Sequence, residues 1–336
     1  MGMGRRTPER RGARRAALLA ATMTASLAVG CTAHHGSPVD DGRGQTRPPT
    51  QTPAQSPSTG GTVAPATGPL LAVKIDNVPA ARPQTGLDSA DIVYAEQVEG
   101  GLSRLMAVFA TKLPKSVGPV RSARVSDLEL LRQFDDPTLA FSGAQHKLLP
   151  LIAKAPLRSA SPDEVANAYY RGVDKSAPHN LYLHPNKLLS SAPGAAALTT
   201  GFRYGSAPAG GRPTASRTVR YPAARFTFTW SGSKHRWQIS EDGTPTVLTD
   251  GKRLAPATVV VQYVKIRKSK YHDVLGNNTP YTETVGSGKA DVLRDGRTYS
   301  VDWKRQKATD GTQFTTSDGT PMNFAKGQVW VVFAKS

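Results

Sequence analysis

Acidic and basic side chains that could carry chemistry gather in the first half of the folded chain. The set comprises Asp76, Asp91, Glu96, Glu99, Arg104, Arg121 and Arg124. Arg121 and Arg124 come just before a predicted helix, where guanidinium groups and free backbone N–H groups both favour anions. One interpretation is a phosphate or carboxylate site in which Arg104, Arg121 and Arg124 make the contact and Glu96 positions them. The other is that the arginines pair with Glu96 and Asp76 inside the domain, because buried charges need partners.

A second group is the tripeptide Pro178-His179-Asn180. A His beside an Asn can serve as a general base with an orienting amide. This possibility leads to the hypothesis of a hydrolase that modifies the cell wall or a glycan through Glu96 or Glu99 together with His179, as the alternative to a binding function. Asn180 is also a candidate binding residue. The opposing interpretation is a turn that side-chain hydrogen bonds hold in place.

Several kinds of chemistry are excluded by what the sequence lacks. The single cysteine, Cys31, precedes the folded part, so that part has no disulfide, thiolate zinc site or cysteine nucleophile. The chain has no H-E-x-x-H motif, and its S-x-x-K match at 231–234 lacks the partner motifs. We predict no metal site and no cofactor, and a non-enzymatic binding or scaffolding module is favoured over an enzyme.

The N-terminus has the pattern of an export signal. Six arginines in residues 1–15 precede a run of apolar and small residues that is too short to span a bilayer. Residues 28–31, Ala-Val-Gly-Cys, resemble a bacterial lipobox, which implies cleavage before Cys31 and lipid attachment to it. The following Pro-, Thr- and Ser-rich segment lacks the apolar residues needed to fold. We predict a signal peptide at 1–30 and a lipid-anchored tether at 31–68, on the outer face of the bacterial cytoplasmic membrane.

The charge of the chain indicates an anionic partner. The formal charge is +18, and residues 1–30 carry six arginines and one glutamate, which leaves +13 for the remainder. For an exported protein, nucleic acid is not the expected partner. Phospholipid headgroups and phosphate-rich wall polymers fit the charge, and envelope proteins are the other class of partner. Positive charge that serves only solubility is the competing explanation.

A basic run at 265–272 ends an apolar strand. It could touch anionic lipid or polymer, with aromatic support from Tyr271. The alternative is a solvated strand edge that lysines protect from aggregation.

A β-hairpin is predicted around Gly100-Gly101, because a Gly pair between two strand-like runs favours a tight turn. A two-residue turn would pair Glu96 with Leu105 and place Glu96 among apolar side chains. A carboxylate in such surroundings must be paired or have a raised pKa.

Helices are predicted at two places in this half. The first runs from 125 to about 134, and Ser126 with Glu129 fits a capping box at its start. The second runs over 162–170, with Ser161 as its cap.

The sequence of the second half of the chain predicts β-strands. Residues 206–222 have the composition of a linker, and the predicted strands follow it at 225–230, 236–240, 259–266, 290–293, 298–303 and 328–333. Asp-Gly pairs between these runs are hairpin signals. The predicted fold is an α+β N-terminal domain at 69–205 followed by a mainly antiparallel all-β C-terminal domain at 223–336.

A family resemblance supports this organisation. The segments that carry it are AVKIDN (72–77), RPQTG (82–86), ADIVY (90–94), VEGGLSR (98–104), GPVRSAR (118–124), PHNLY (178–182), VGSGK (285–289) and WK (303–304). Together they resemble the YerB-like lipoproteins over roughly residues 70–336. The resemblance implies a lipoprotein with separate N- and C-terminal domains. It implies no reaction and no catalytic residues.

Overall fold

β-Strands form most of the structure, a computed structural model that describes residues 68–273 and 275–336. The predicted signal peptide at 1–30, the lipidation site Cys31 and the predicted tether up to residue 67 lie outside the described residues. All described residues belong to one compact unit.

The strands and helices are numbered in chain order. The strands are β1 (Leu71–Asp76), β2 (Ile92–Gln97), β3 (Ser103–Phe109), β4 (Thr138–Ala140), β5 (Arg158–Ala160), β6 (Tyr169–Arg171), β7 (Leu181–Leu183), β8 (Arg203–Tyr204), β9 (Arg212–Pro213), β10 (Ser216–Tyr221), β11 (Ala224–Ser231), β12 (Arg236–Glu241), β13 (Thr244–Pro245), β14 (Thr258–Val264), β15 (Ile266–His272), β16 (Asn278–Thr282), β17 (Gly286–Arg294), β18 (Arg297–Arg305), β19 (Gln313–Thr315), β20 (Asn323–Phe324) and β21 (Val329–Lys335). The α-helices are α1 (Val125–Leu131) and α2 (Leu149–Lys154). Single turns of 3₁₀ helix occur at Pro79–Ala81, Leu87–Ser89, Glu99–Gly101, Ala166–Ala168, Pro185–Lys187 and Ala195–Ala197.

One sheet of eleven strands runs through both halves of the chain. Its order is β19-β18-β17-β14-β21-β2-β3-β1-β4-β5, and β9 pairs with β18. The last strand, β21, lies parallel to β14 on one side and to β2 on the other. The expected antiparallel pairing therefore fails at this strand. The apolar sequence of β21 explains its place, because central strands next to parallel neighbours are buried on both faces.

The large sheet has an apolar core on each face. On one face it packs against a four-stranded sheet, β10-β11-β12-β13, through Phe226, Phe228, Trp237 and Trp330. On the other face, Tyr94, Met106 and Phe333 pack with α1 and with residues of the C-terminal half. Within the described residues, none of the helices has the length and apolar character needed to cross a bilayer.

All six strands predicted in the second half are present, and this half is mainly β. Asp295 and Gly296 both have positive φ and join β17 to β18, as the Asp-Gly signal predicts. The predicted linker is wrong over residues 216–221, which form β10. Its Pro and Gly content indicated a loop, but Val219 and Tyr221 are buried in the core. The boundary between two domains stays a prediction.

The first half contains less helix than expected, and its predicted α+β character is not confirmed. Its described α-helices, α1 and α2, have only seven and six residues. The predicted helix at 162–170 is wrong, because a turn and the 3₁₀ turn Ala166–Ala168 lead directly into β6. In β6 the ring of Tyr170 stacks on Tyr182 of β7, with ring centroids 5.5 Å apart. Such cross-strand aromatic contacts favour strand over helix.

Candidate functional site

A cavity of about 530 Å³ opens where β1 ends and β2 turns into β3, and we call it the arginine cavity. The segment before α1, the loop before β7 and the turn between β15 and β16 complete its wall. Of the candidate acidic, basic and His residues named first in the sequence analysis, those that line it are Asp76, Glu99, Arg104, Arg121, Arg124 and His179. Glu96 and Asn180 do not line it.

The β2–β3 turn is longer than predicted, and this decides where the carboxylates lie. The residues Glu99–Gly101 form a 3₁₀ turn, with Gly100 at φ 65° and Gly101 at φ 72°. The register therefore pairs Glu96 with Arg104, and not with Leu105 as a two-residue turn would require. A shift of one residue moves side chains to the opposite face of a strand. Because β2 ends at Gln97, Glu99 lies in the turn, at the wall of the cavity.

Glu99 forms an ion pair with Arg124. Nη2 of Arg124 donates to Oε2 of Glu99 at 2.8 Å, and Nε lies 2.6 Å from Oε1. The hydroxyl of Thr279 also donates to this carboxylate. Burial opposes ionisation of Glu99, but these hydrogen bonds and the Arg124 charge outweigh it and lower the pKa of Glu99. Nη1 of Arg124 donates to the carbonyls of Ser122 and Ala123, so most donors of this guanidinium are used inside the protein.

Asp76 contacts two other side chains of the cavity wall. Its Oδ2 lies 2.8 Å from Nδ1 of His179 and 3.2 Å from Nε of Arg121. Asp76 is buried, whereas the His179 and Arg121 side chains keep about a quarter of their surface exposed, at 24% and 25%. Within the described residues, Nε2 of His179 and the Nη groups of Arg121 have no hydrogen-bond partner. They are therefore available to a ligand.

Arg104 differs from the other two arginines because no carboxylate within the described ranges lies within ion-pair distance of it. One hydrogen bond, from Nη1 to the Ser122 carbonyl at 3.2 Å, accounts for one of its five donors. Burial and the neighbouring positive charge of Arg124 lower the pKa of Arg104 to about 10. The group is still cationic at neutral pH. The cavity thus contains a half-buried cation that has no direct ion pair among the described residues.

Glu96 belongs to a buried cluster beside the cavity. Its carboxylate accepts a hydrogen bond from Nζ of Lys74, which also donates to Oδ1 of Asp127 at 2.7 Å. All three residues are almost inaccessible to solvent. Burial raises the pKa of Glu96, and the charge of Lys74 opposes that effect. Of the two outcomes expected for this carboxylate, a partner or a raised pKa, the structure provides a partner. The partner is Lys74, however, and not an arginine.

Helix α1 begins at Val125 as expected, but its capping interaction lies two residues earlier than the sequence indicates. Arg124 is the N-cap, and its backbone N–H donates to Oδ2 of Asp127 at 2.6 Å. The predicted capping residues instead hold the neighbouring strand β16 and its end. Ser126 Oγ accepts from Thr282 N–H at 3.0 Å, and Glu129 accepts from Thr284 N–H at 2.9 Å.

Sequence reasoning missed the β15–β16 hairpin as a wall of the cavity. Tyr271, Leu275 and Asn277 line the cavity there, and Gln145 donates to the His272 carbonyl at 2.6 Å. The only sequence signal was Tyr271 at the end of the basic run. This contact joins residues more than a hundred positions apart, so no local pattern could reveal it.

Asn180 has a structural role in the loop before β7. Its Nδ2 donates to the Gly172 carbonyl at 2.9 Å, and its Oδ1 accepts from Arg171 at 2.8 Å. These bonds fit the turn interpretation of the Pro-His-Asn tripeptide. Over the described parts of the chain, no group of three His, Cys, Asp or Glu side chains is arranged to hold a metal ion. The polar groups that the cavity offers to a ligand are guanidinium N–H donors and the ring of His179.

Two models of one family match this chain. The model described as "Protein of unknown function (DUF3048) N-terminal domain" matches residues 58–199, and the corresponding C-terminal domain model matches residues 217–331.

A relative and a solved structure also match. "Putative lipoprotein YerB" of Bacillus subtilis (strain 168) is 26% identical over 283 residues, which cover 78% of this chain and 80% of that protein. The crystal structure of YerB protein from Bacillus subtilis matches with a TM-score of 0.67 and 21% identity, over 81% of this chain and 96% of that one. This likeness shows a shared fold.

Proposed function

The chain belongs to the DUF3048 family, and we propose that it is a lipid-anchored envelope protein whose arginine cavity binds an anionic group. The observation that carries the proposal is Arg104, a half-buried guanidinium without an ion pair among the described residues. A bound phosphate or carboxylate would give this guanidinium a direct ionic partner through charge-assisted hydrogen bonds.

The neighbours of Arg104 fit the same role. Arg121 shares Asp76 with His179 and keeps donors toward the cavity, whereas Arg124 is held by Glu99. We therefore assign anion contact to Arg104 and Arg121, and the positioning of the cavity wall to Arg124. Asp76 and Glu99 orient the arginines, the role first expected of Glu96. The ligand would be an anionic component of the wall or membrane, with an envelope protein as the other possible partner.

Lipid attachment at Cys31 would place the cavity at the outer face of the bacterial cytoplasmic membrane. Support comes from the signal-peptide pattern, the resemblance to a lipobox and the word lipoprotein in the name of the Bacillus relative. Metabolic labelling with a radioactive fatty acid tests this part. We expect label in the wild-type protein and none in Cys31→Ser, whereas equal labelling of both proteins would refute attachment at this residue.

Co-sedimentation with isolated cell envelope tests the binding function. The purified protein is mixed with envelope from which the phosphate polymers have or have not been removed, at low and at high salt. We expect pelleting that salt weakens, because exposed charges are screened. We also expect that the Arg104→Gln/Arg121→Gln double variant pellets much less.

The matched control is Arg253→Gln. Arg253 is half-buried, has no ion pair in the described chain and donates to the Ile239 carbonyl, but it does not line the cavity. This variant changes the net charge without touching the site. Equal pelleting of the double variant and the wild type would contradict the proposal and direct the search to protein partners.

A second candidate function is a hydrolase that uses His179 as general base. It is favoured by the 2.8 Å contact of Nδ1 with Asp76, which leaves Nε2 on the cavity side to take a proton from water. The catalytic group expected from the sequence, Glu96 or Glu99 with His179, is not formed. Glu96 pairs with Lys74, and Glu99 pairs with Arg124.

Release of soluble wall or glycan fragments separates the two functions. If the protein is a hydrolase, wild type releases fragments and His179→Gln does not, while both still bind. If it is a binding module, neither protein releases fragments above the level of a heat-treated sample.

A further inference from the structure

The arginine cavity has an apolar side as well as a cationic one. Leu102, Val125 and Leu275 form the apolar side and keep part of their surface exposed, while Val98, Leu148 and Tyr271 line the cavity but are buried. These residues come from the β2–β3 turn, the start of α1, the segment before α2 and the β15–β16 hairpin. A ligand that is only a charged group would leave this surface in contact with water, which is unfavourable.

The apolar side continues to the outer surface at the hairpin. Leu275 is 83% exposed, although it lines the cavity. On the same hairpin, Lys268 and Lys270 are exposed and form no ion pair within the described residues. An exposed apolar residue and unpaired lysines on one hairpin are features that favour contact with an anionic lipid surface.

We propose that the ligand of the arginine cavity is a lipid phosphate, in which a phosphate monoester is carried on a hydrocarbon chain. The phosphate contacts Arg104 and Arg121, and the hydrocarbon chain lies against Leu102, Val125 and Leu275. This inference rests on the proposed anion-binding function and names its ligand class. It favours a membrane component over a hydrophilic wall polymer, which would leave the apolar side uncovered.

A series of alkyl phosphates tests the inference. Methyl, butyl and octyl phosphate are titrated into the purified full-length protein by calorimetry, each below its micelle concentration. Burial of one methylene contributes about 0.8 kcal/mol, which corresponds to about fourfold in affinity. We expect the affinity to rise by a factor of up to about four per methylene from methyl to butyl phosphate, and Arg104→Gln to weaken every member of the series.

Leu275→Ser tests the apolar side separately. Leu275 is exposed, so its replacement leaves the core intact. We expect unchanged affinity for methyl phosphate and a smaller gain from methyl to octyl phosphate. Val173→Ser is the matched control, because Val173 is 95% exposed and does not line the cavity. It should leave the whole series unchanged.

The outcomes separate the inference from the function on which it rests. Methyl phosphate that binds as tightly as octyl phosphate overturns the lipid inference and leaves the anion site intact. No binding of any alkyl phosphate overturns both. Octyl glucoside that binds as tightly as octyl phosphate shows that the arginines do not select the ligand, and this also overturns both.

Discussion

Asp76 and Arg104 lie directly opposite each other in the register of β1 and β3, yet their side chains do not form an ion pair. Asp76 instead bonds to His179 and lies next to Arg121. Arg104 keeps a single hydrogen bond to the Ser122 carbonyl. The protein therefore places a cation beside a carboxylate that is already used by other residues.

The three arginines of the cavity thus have different roles. Arg124 forms an ion pair with Glu99, Arg121 shares the carboxylate of Asp76 with His179, and Arg104 has no carboxylate partner in the described chain. Cationic residues inside a cavity that have no direct ion pair are natural contacts for anionic ligands. The predictions below test this division between structural and binding arginines.

Loss of Arg124 should destabilise the fold. In Arg124→Gln, the buried carboxylate of Glu99 loses its charge partner, and breaking a buried ion pair costs about 3 kcal/mol or more. Urea unfolding at pH 7 measures the loss. The control is Arg158→Gln, because the Arg158–Asp136 pair is exposed and should change the free energy of unfolding by less than about 1 kcal/mol. Equal losses in the two variants would show that Glu99 does not depend on Arg124.

Glu96 should make stability depend on pH. Burial raises its pKa above the ordinary value of 4.5, so the folded state holds this proton more tightly than the unfolded chain does. The stabilising contribution is fully present below about pH 4.5 and is lost as the pH rises through the raised pKa.

The measurement compares wild type with Glu96→Gln by urea unfolding from pH 4.5 upward. The free energy of unfolding of the wild type should fall relative to the variant, by at most about 1.4 kcal/mol per pH unit. Titration of Glu99, whose lowered pKa has the opposite effect, is common to both proteins and cancels. A difference that stays constant with pH would contradict a raised pKa.

Two adjacent glycines provide a matched test of the turn that places Glu99. Gly100 and Gly101 both have positive φ, but a Cβ on Gly101 would lie 2.5 Å from Cβ of Pro222, whereas a Cβ on Gly100 would meet nothing within 4 Å. Gly100→Ala should cost about 1–2 kcal/mol from the backbone alone. Gly101→Ala adds a steric clash and should cost clearly more in thermal unfolding. The reverse order would mean that the turn does not pack on Pro222.

Local patterns in the sequence predicted some features of the structure and not others. The six C-terminal strands follow from runs of apolar and β-branched residues, and Asp295-Gly296 marks its hairpin correctly. The burial of Glu96 also followed from its strand neighbours. The β2–β3 register did not, because a Gly pair does not distinguish a two-residue turn from the longer 3₁₀ turn that forms here.

The arginine cavity could not be predicted from the sequence, because contacts between distant parts of the chain form it. His179 and Asp76 are 103 residues apart, and Thr279 bonds to Glu99 across 180 residues. No local spacing encodes such pairs. For the same reason, the composition predicts a linker where β10 forms, because the burial of Val219 and Tyr221 depends on the assembled core.

The most direct test of the anion site is the affinity for inorganic phosphate at constant ionic strength. Wild type, Arg104→Gln and the control Arg253→Gln are titrated by calorimetry, and each variant is first shown to unfold at the wild-type temperature. A hydrogen bond to a charged group is worth about 1.5–3 kcal/mol, so Arg104→Gln should weaken binding about 10- to 100-fold, while Arg253→Gln binds like wild type. Equal affinity of all three proteins would contradict the assignment of Arg104 as the anion contact.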